Sequence, residues 1–256
     1  LFEKEEGMKQ IESAQYIKGL HNLISAHFDL KNIDKFKETI CLLEQFSDTP
    51  IVLNNKNNLI QSFVYLYIAK INQHFLEGTF SEGLAMIPSM EEKLKEIEMY
   101  IDSHRVLVFY YKIACLYFGA GDAAKTIDYL NSIINWKVNL RDDLQCYARL
   151  LHLIAHYELG NMEVVAYLSK SVYRFMSKMK NLGAVEEVLF NFLRNTIQSG
   201  KQASFENLLA TLQPLEKNKL ESRAFMYLDI ISWLESKIQN KDVQTIIREK
   251  FILGNK

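Results

Sequence analysis

Between Ser103 and Asn135 the apolar positions recur at steps of three and four. Val106, Phe109, Tyr110, Ile113, Ala114 and Tyr117 share one face of a first helix, and Ile127, Leu130, Ile133 and Ile134 form the stripe of a second. Gly119, Ala120, Gly121 and Asp122 lie between them. Glycine relaxes the backbone where one helix must end, and Asp122 can accept from the free N–H groups that open the next. The stretch predicts helix, tight turn, helix, with the two stripes facing each other in a hairpin.

The same turn recurs along the chain. HFDLKNIDKF begins at His27, HFLEGTFSEGL at His74, YFGAGDAAKTI at Tyr117 and HYELGNMEVVA at His156, each opening on two rings, at spacings of 47, 43 and 39 residues. Such periods belong to stacked helical hairpins. The first hairpin is expected over Lys9–Phe28 and Ile33–Phe46, with Leu20, Leu23, Ile24 and Phe28 facing Phe36, Ile40 and Leu43, and with Ser47–Pro50 ending it. The second is expected over Asn57–Leu76 and Ser81–Tyr100. Its SFVYLYI run from Ser62 is apolar all round and predicts a central helix, and Pro88 should bend or split the return helix. After the central unit come Arg141–Leu159 with Met162–Met179, then Val185–Gln198 with Ser204–Leu215, then Glu221–Gln239 with Val243–Leu253. The expected class is all-α: about six hairpins in a single domain over residues 1–256, clear repeats over about 9–180 and divergent ones over 181–256. Terminal repeats diverge because one of their faces meets water.

Composition narrows this little. A hydrophobic content of 48% with 24% charged residues is ordinary for a globular chain, and only three prolines and ten glycines punctuate it, which favours helices over many short strands. Thirty Lys+Arg against 31 Asp+Glu leave no field that would recruit nucleic acid or an anionic membrane, and neither partner is expected. No run of eighteen apolar residues predicts a membrane span. Cys41, Cys115 and Cys146 are odd in number and far apart, embedded in apolar stretches, and read as buried free thiols in a reducing, cytoplasmic compartment. The chain opens LFEKEEGMKQ and reads as part of a longer protein.

The repeat resembles the tetratricopeptide repeat, whose pattern has Trp-x2-Leu-Gly-x2-Tyr in one helix and Ala-x3-Phe in the next. Tyr110, Ile113, Ala114 and Tyr117 fall on the first half, Thr126 and Leu130 on the second, and GTFSEGL from Gly78 and GDAAKTI from Gly121 look like the family's turn. Thr126 stands where the family has alanine, no proline closes the unit near Val138, and the periods exceed the family's. The resemblance covers about Lys9 to Met179. It implies a right-handed α-α superhelix, a solenoid, in which the first helix of each pair faces the inner curve. By the repeat alignment Tyr65, Asn72, Tyr111, Tyr147, Leu150 and Tyr157 would then form one inward stripe, with the tyrosines as anchors for a partner. Alternatively, a tight superhelix would fill its own interior with the same rings.

Candidate chemistry is sparse. His152 and His156 lie four apart on a helix, a spacing that could hold a metal, but Leu153, Ile154 and Ala155 separate them and the glutamate of the metalloprotease motif is missing. His156 also shares its repeat position with His27, His74 and Tyr117, so all four rings are expected to be buried packing residues that bind no metal. Asp142-Asp143 and Glu186-Glu187 sit at helix starts, where they complement the dipole. No phosphate loop, nucleophile elbow or paired-cysteine motif occurs, and no catalytic residue or cofactor is expected. The leading functional expectation is a non-catalytic scaffold that holds a partner peptide or helix in its concave groove. The alternative is a ligand- or peptide-sensing regulatory domain of a larger signalling or transcription protein.

Overall fold

Hairpin turns form where the backbone can take a positive φ. Lys31, Gly78, Gly121, Gly160, Lys180 and Asn240 all do so, each directly after a helix or one residue beyond it. The computed structural model describes residues 2, 5–136, 141–199, 204–218, 221, 224, 225 and 229–254. Among the described residues every regular element is a helix and no strand occurs.

The first hairpin consists of α1 (Glu6–Ile11), α2 (Ser13–Asp29) and α3 (Ile33–Ser47). Leu20 and Ile24 are buried together with Phe36, Ile40 and Leu43, as the stripe requires. Leu23, expected on the same face, is instead half exposed, because the contact follows a narrower seam than the stripe. Pro50 does not simply end the hairpin: it opens a one-turn helix, α4 (Pro50–Leu53), from the first helical position, where its missing N–H costs nothing. The next helix, α5 (Lys56–Glu77), packs on α2, α3 and α4 and is buried on more than one side, as its all-apolar run predicts. Its return partner is split into α6 (Phe80–Gly83), a 3-10 turn over Leu84–Met86 and α7 (Ile87–Ile97). Pro88 lies just after the break, and its missing N–H leaves the carbonyl four residues upstream without an α-helical donor.

The central hairpin is α8 (Ser103–Gly119) and α9 (Ala123–Ile134), with Asp122 Oδ1 accepting from the Lys125 N–H at 2.8 Å as its turn predicts. Then follow α10 (Asp142–Glu158), α11 (Met162–Lys178), α12 (Ala184–Ser199), α13 (Phe205–Glu216), α14 (Ile230–Gln239) and α15 (Val243–Gly254). Residues 200–203, in the turn expected between Val185–Gln198 and Ser204–Leu215, lie outside the described residues, as does part of the helix expected over Glu221–Gln239. From α8 onward each helix packs on the next.

Two apolar cores meet at α8. Val106, Phe109, Ile113 and Leu116 bury into the one built on α2 to α7, while Leu107, Tyr111, Ala114 and Phe118 bury into the one built on α9 to α14. The last helix then departs from a neighbour-only stack, since α15 returns to pack on α5 and places Ile247 in the first core. Gly78, with φ of 65°, makes this approach possible: a Cβ there would stand 2.4 Å from the backbone nitrogen of Arg248. Ser81 adds hydrogen bonds from its N–H and hydroxyl to Gln244 Oε1, at 3.2 and 2.9 Å.

The repeated ring position differs from expectation. His27, His74, Tyr117 and His156 are half-buried, not enclosed, because each lies in the last turn of its helix, beside the hairpin turn. His74 Nδ1 pairs with Thr79 Oγ1 at 2.7 Å and His156 Nδ1 with the Asn161 side-chain amide at 3.1 Å, so these two rings tie a helix end to the turn that follows. Of the three thiols, only Cys146 is buried; Cys115 is half-buried and Cys41 exposed.

Candidate functional site

The six residues expected to form one inward stripe fall in separate environments. Tyr65 is buried with its ring stacked on His21, centroids 3.8 Å apart, and the Arg105 guanidinium lies 5.6 Å from the centre of the same ring. Tyr147 is buried and donates its hydroxyl to Glu186 Oε1 at 3.1 Å, and Leu150 is fully enclosed. Tyr157 is half-buried among Phe192, Phe205 and Trp233, ring centroids 6.2 to 6.4 Å away. The remaining two, Asn72 on α5 and Tyr111 on α8, line a common pocket.

That pocket has a volume of about 390 Å³, within the range of small-molecule sites. Its walls come from distant parts of the chain. Phe75, Leu76, Phe80, Val108, Tyr111 and Phe118 supply α5, α6 and α8; Phe28 and Leu144 come from the end of α2 and the start of α10; Phe225, Val243 and Ile247 close the C-terminal side. The apolar wall is interrupted by few polar groups, chiefly Asn72 and Lys112 inside and Asp29, Arg141 and Asp229 at exposed or half-buried positions.

Lys112 sits in the middle of the apolar run of α8. Its ammonium donates to Asn72 Oδ1 at 2.6 Å and lies 5.3 Å from the centre of the Phe75 ring. Burial pulls its pKa down to about 8, with Cys115 acting in the opposite sense. One turn on, burial pushes the Cys115 thiol up to about 12, which keeps it protonated and a poor nucleophile. Arg141, by contrast, is held by Asp143 through two hydrogen bonds of 2.9 and 3.0 Å.

The histidine pair lies elsewhere. His152 is buried, its ring 4.6 Å from that of His156 in an edge-on arrangement, and burial, with His156 and Arg149 adding to it, drives its pKa down to about 4. Among the described residues no three His, Cys, Asp or Glu side chains are grouped so as to hold a metal. Among them, too, no helix is long and apolar enough to cross a membrane.

A second concavity, of about 600 Å³, runs between α11 and α12. Tyr173, Phe190 and Ile197 give it an apolar floor, and Lys170, Arg174 and Arg194 stand exposed along it. Sequence reasoning passed over both Lys112 and this groove. The signal for the first was present, since a lone lysine in VFYYKIACLYF is a charge that the helix must bury or hold against a pocket. Comparison with family models, curated proteins and solved structures returned no match.

Proposed function

We propose that the chain is a non-catalytic ligand-sensing module, a tetratricopeptide-like superhelix of hairpins that takes a small molecule into the pocket between α5, α8 and α15. The carrying observation is where the pocket's walls originate. Residues from α2, α5, α6, α8, α10 and the C-terminal segments all reach one ligand-sized space. A molecule bound there touches both cores and the returning helix, so occupancy changes how tightly α15 is held. Of the two functional expectations from sequence, this geometry favours sensing over an open peptide groove, because Tyr65, Tyr147 and Leu150 spend their surface on the protein's own interior.

A thermal-shift screen with small neutral apolar fragments tests the reading. Saturating ligand at a hundred times its Kd stabilises a native state by about 2.7 kcal/mol, a shift of several degrees. Val108→Trp, which fills the pocket from α8, should abolish that shift. If no fragment stabilises the wild-type chain, or the variant responds equally, the pocket is not a ligand site.

One observation favours a protein partner as a second reading. The cations of the α11–α12 groove carry no ion pair among the described residues, and its floor is apolar, a combination suited to an acidic amphipathic helix. A labelled Glu- and Leu-rich helical peptide should bind with salt-sensitive affinity and lose most of it in Lys170→Glu with Arg194→Glu. Binding unchanged by that double reversal would remove this reading.

A further inference from the structure

We infer that the pocket's ligand carries an apolar body and one anionic head group, a carboxylate or its equivalent, received by Lys112 and Asn72. The inference rests on the ligand-site reading above and gives that ligand its chemistry. Lys112 brings a positive charge inside an apolar wall, where a neutral amide oxygen, a ring face and the protonated Cys115 thiol are neighbours of its ammonium and none carries a counter-charge. A buried charge is costly unless it is paired. The other charges on the pocket do not supply the missing partner. Arg141 is spoken for by Asp143, while Asp29 and Asp229 are exposed to water, the latter capping α14 through a 2.9 Å bond from the Ser232 N–H. An anionic head group supplies the counter-charge, and the Asn72 amide, whose Oδ1 accepts from the lysine, has its N–H2 as the remaining donor for that head group. The rings of Phe75, Phe80 and Phe118 accept the rest of the molecule.

Isothermal titration with octanoate, 1-octanol and octylamine reads this directly, since the three share a chain and differ in head group. At pH 7 octanoate should bind at least about tenfold tighter than octanol, the worth of one charge-assisted bond in a partly dry site, and octylamine most weakly. Lys112→Met keeps the length of the side chain and should bring octanoate down to the affinity of octanol without weakening octanol itself. A pH series on the wild-type chain gives the same answer without any substitution. The other charged and titratable groups lining the pocket are Asp29, Tyr111, Cys115, Arg141 and Asp229; between pH 7 and 9.5 Lys112 loses its proton while the Cys115 thiol, pushed up to about 12, keeps its own. Octanoate affinity should fall roughly tenfold or more as the amine empties, because apparent affinity scales with the competent fraction, while octanol stays level. Equal binding of octanoate and octanol at pH 7, or preferential binding of octylamine, overturns the head-group inference and leaves the ligand site standing. Failure of all three to bind overturns the ligand site itself.

Discussion

Replacing Trp233 with alanine should lower the stability of the whole chain by about 3–5 kcal/mol, the cost of emptying a fully enclosed aromatic site. The indole is 1% exposed and stands at the joint between the fourth hairpin and the C-terminal helices. Phe205 and Tyr157 meet it edge-on at 6.1 and 6.4 Å, and its Nε1–H donates to Glu158 Oε1 at 2.8 Å while Lys237 holds the other carboxylate oxygen. Truncation removes the ring contacts and leaves that half-buried carboxylate short of one donor. Because α15 then returns to α5, the damage should not stay local. Urea unfolding followed through Trp136, the remaining tryptophan, reports on the α8–α9 side, where its ring packs against both cores. One transition at a lower midpoint is expected. An unchanged Trp136 transition would mean that the C-terminal helices fray independently, as the end of a one-dimensional stack does.

What the sequence made legible was local. The hairpin turns at Leu30–Asn32, Gly78–Thr79, Gly119–Asp122 and Gly160–Asn161 form because a positive-φ residue or a capping side chain decides the matter within four or five positions. The break before Pro88 and the multiply covered α5 were readable for the same reason. The return of α15 onto α5 was not, since it depends on Gly78 meeting Arg248 across 170 positions of chain, and nothing in either segment announces the other.

The candidate site was legible in part. The repeat alignment expects one side of α5, α8 and α10 to turn inward, and two residues of that side, Asn72 and Tyr111, line one pocket. It is silent on how much of that inward side the protein fills itself. For α10 the answer is nearly all: eleven of its side chains are buried, Tyr147 and Leu150 among them. The stripe dissolves because α8 stands between two cores and must spend both its faces on packing, and the ligand-sized pocket opens where Lys112 interrupts the apolar run.

Acid should destabilise the protein well before its carboxylates titrate, and the histidines are the reason. In the folded chain burial lowers the pKa of His21, His74 and His156, with Arg105 adding to the effect at His21, and drives that of His152 to about 4. Unfolded, each titrates near 6.5. Between pH 6.5 and 4 the unfolded state therefore binds more protons than the folded one, and stability falls as the pH falls through that window. Glu186 works the other way, because burial raises its folded pKa and the folded state then holds that proton more tightly than the unfolded one. His152 alone accounts for about 2–3 kcal/mol of loss at pH 4.5. His152→Phe keeps a ring of similar volume among its apolar neighbours and cannot charge. Its stability at pH 7 should lie within about 1.5 kcal/mol of wild type, as a near-isosteric core exchange does. By pH 4.5 the variant should be the more stable of the two, the difference arising almost entirely below pH 6.5. Parallel stability curves for variant and wild type from pH 7 to 4.5 would show that His152 takes up its proton without leaving its buried site, and the low folded pKa assigned to it would be wrong.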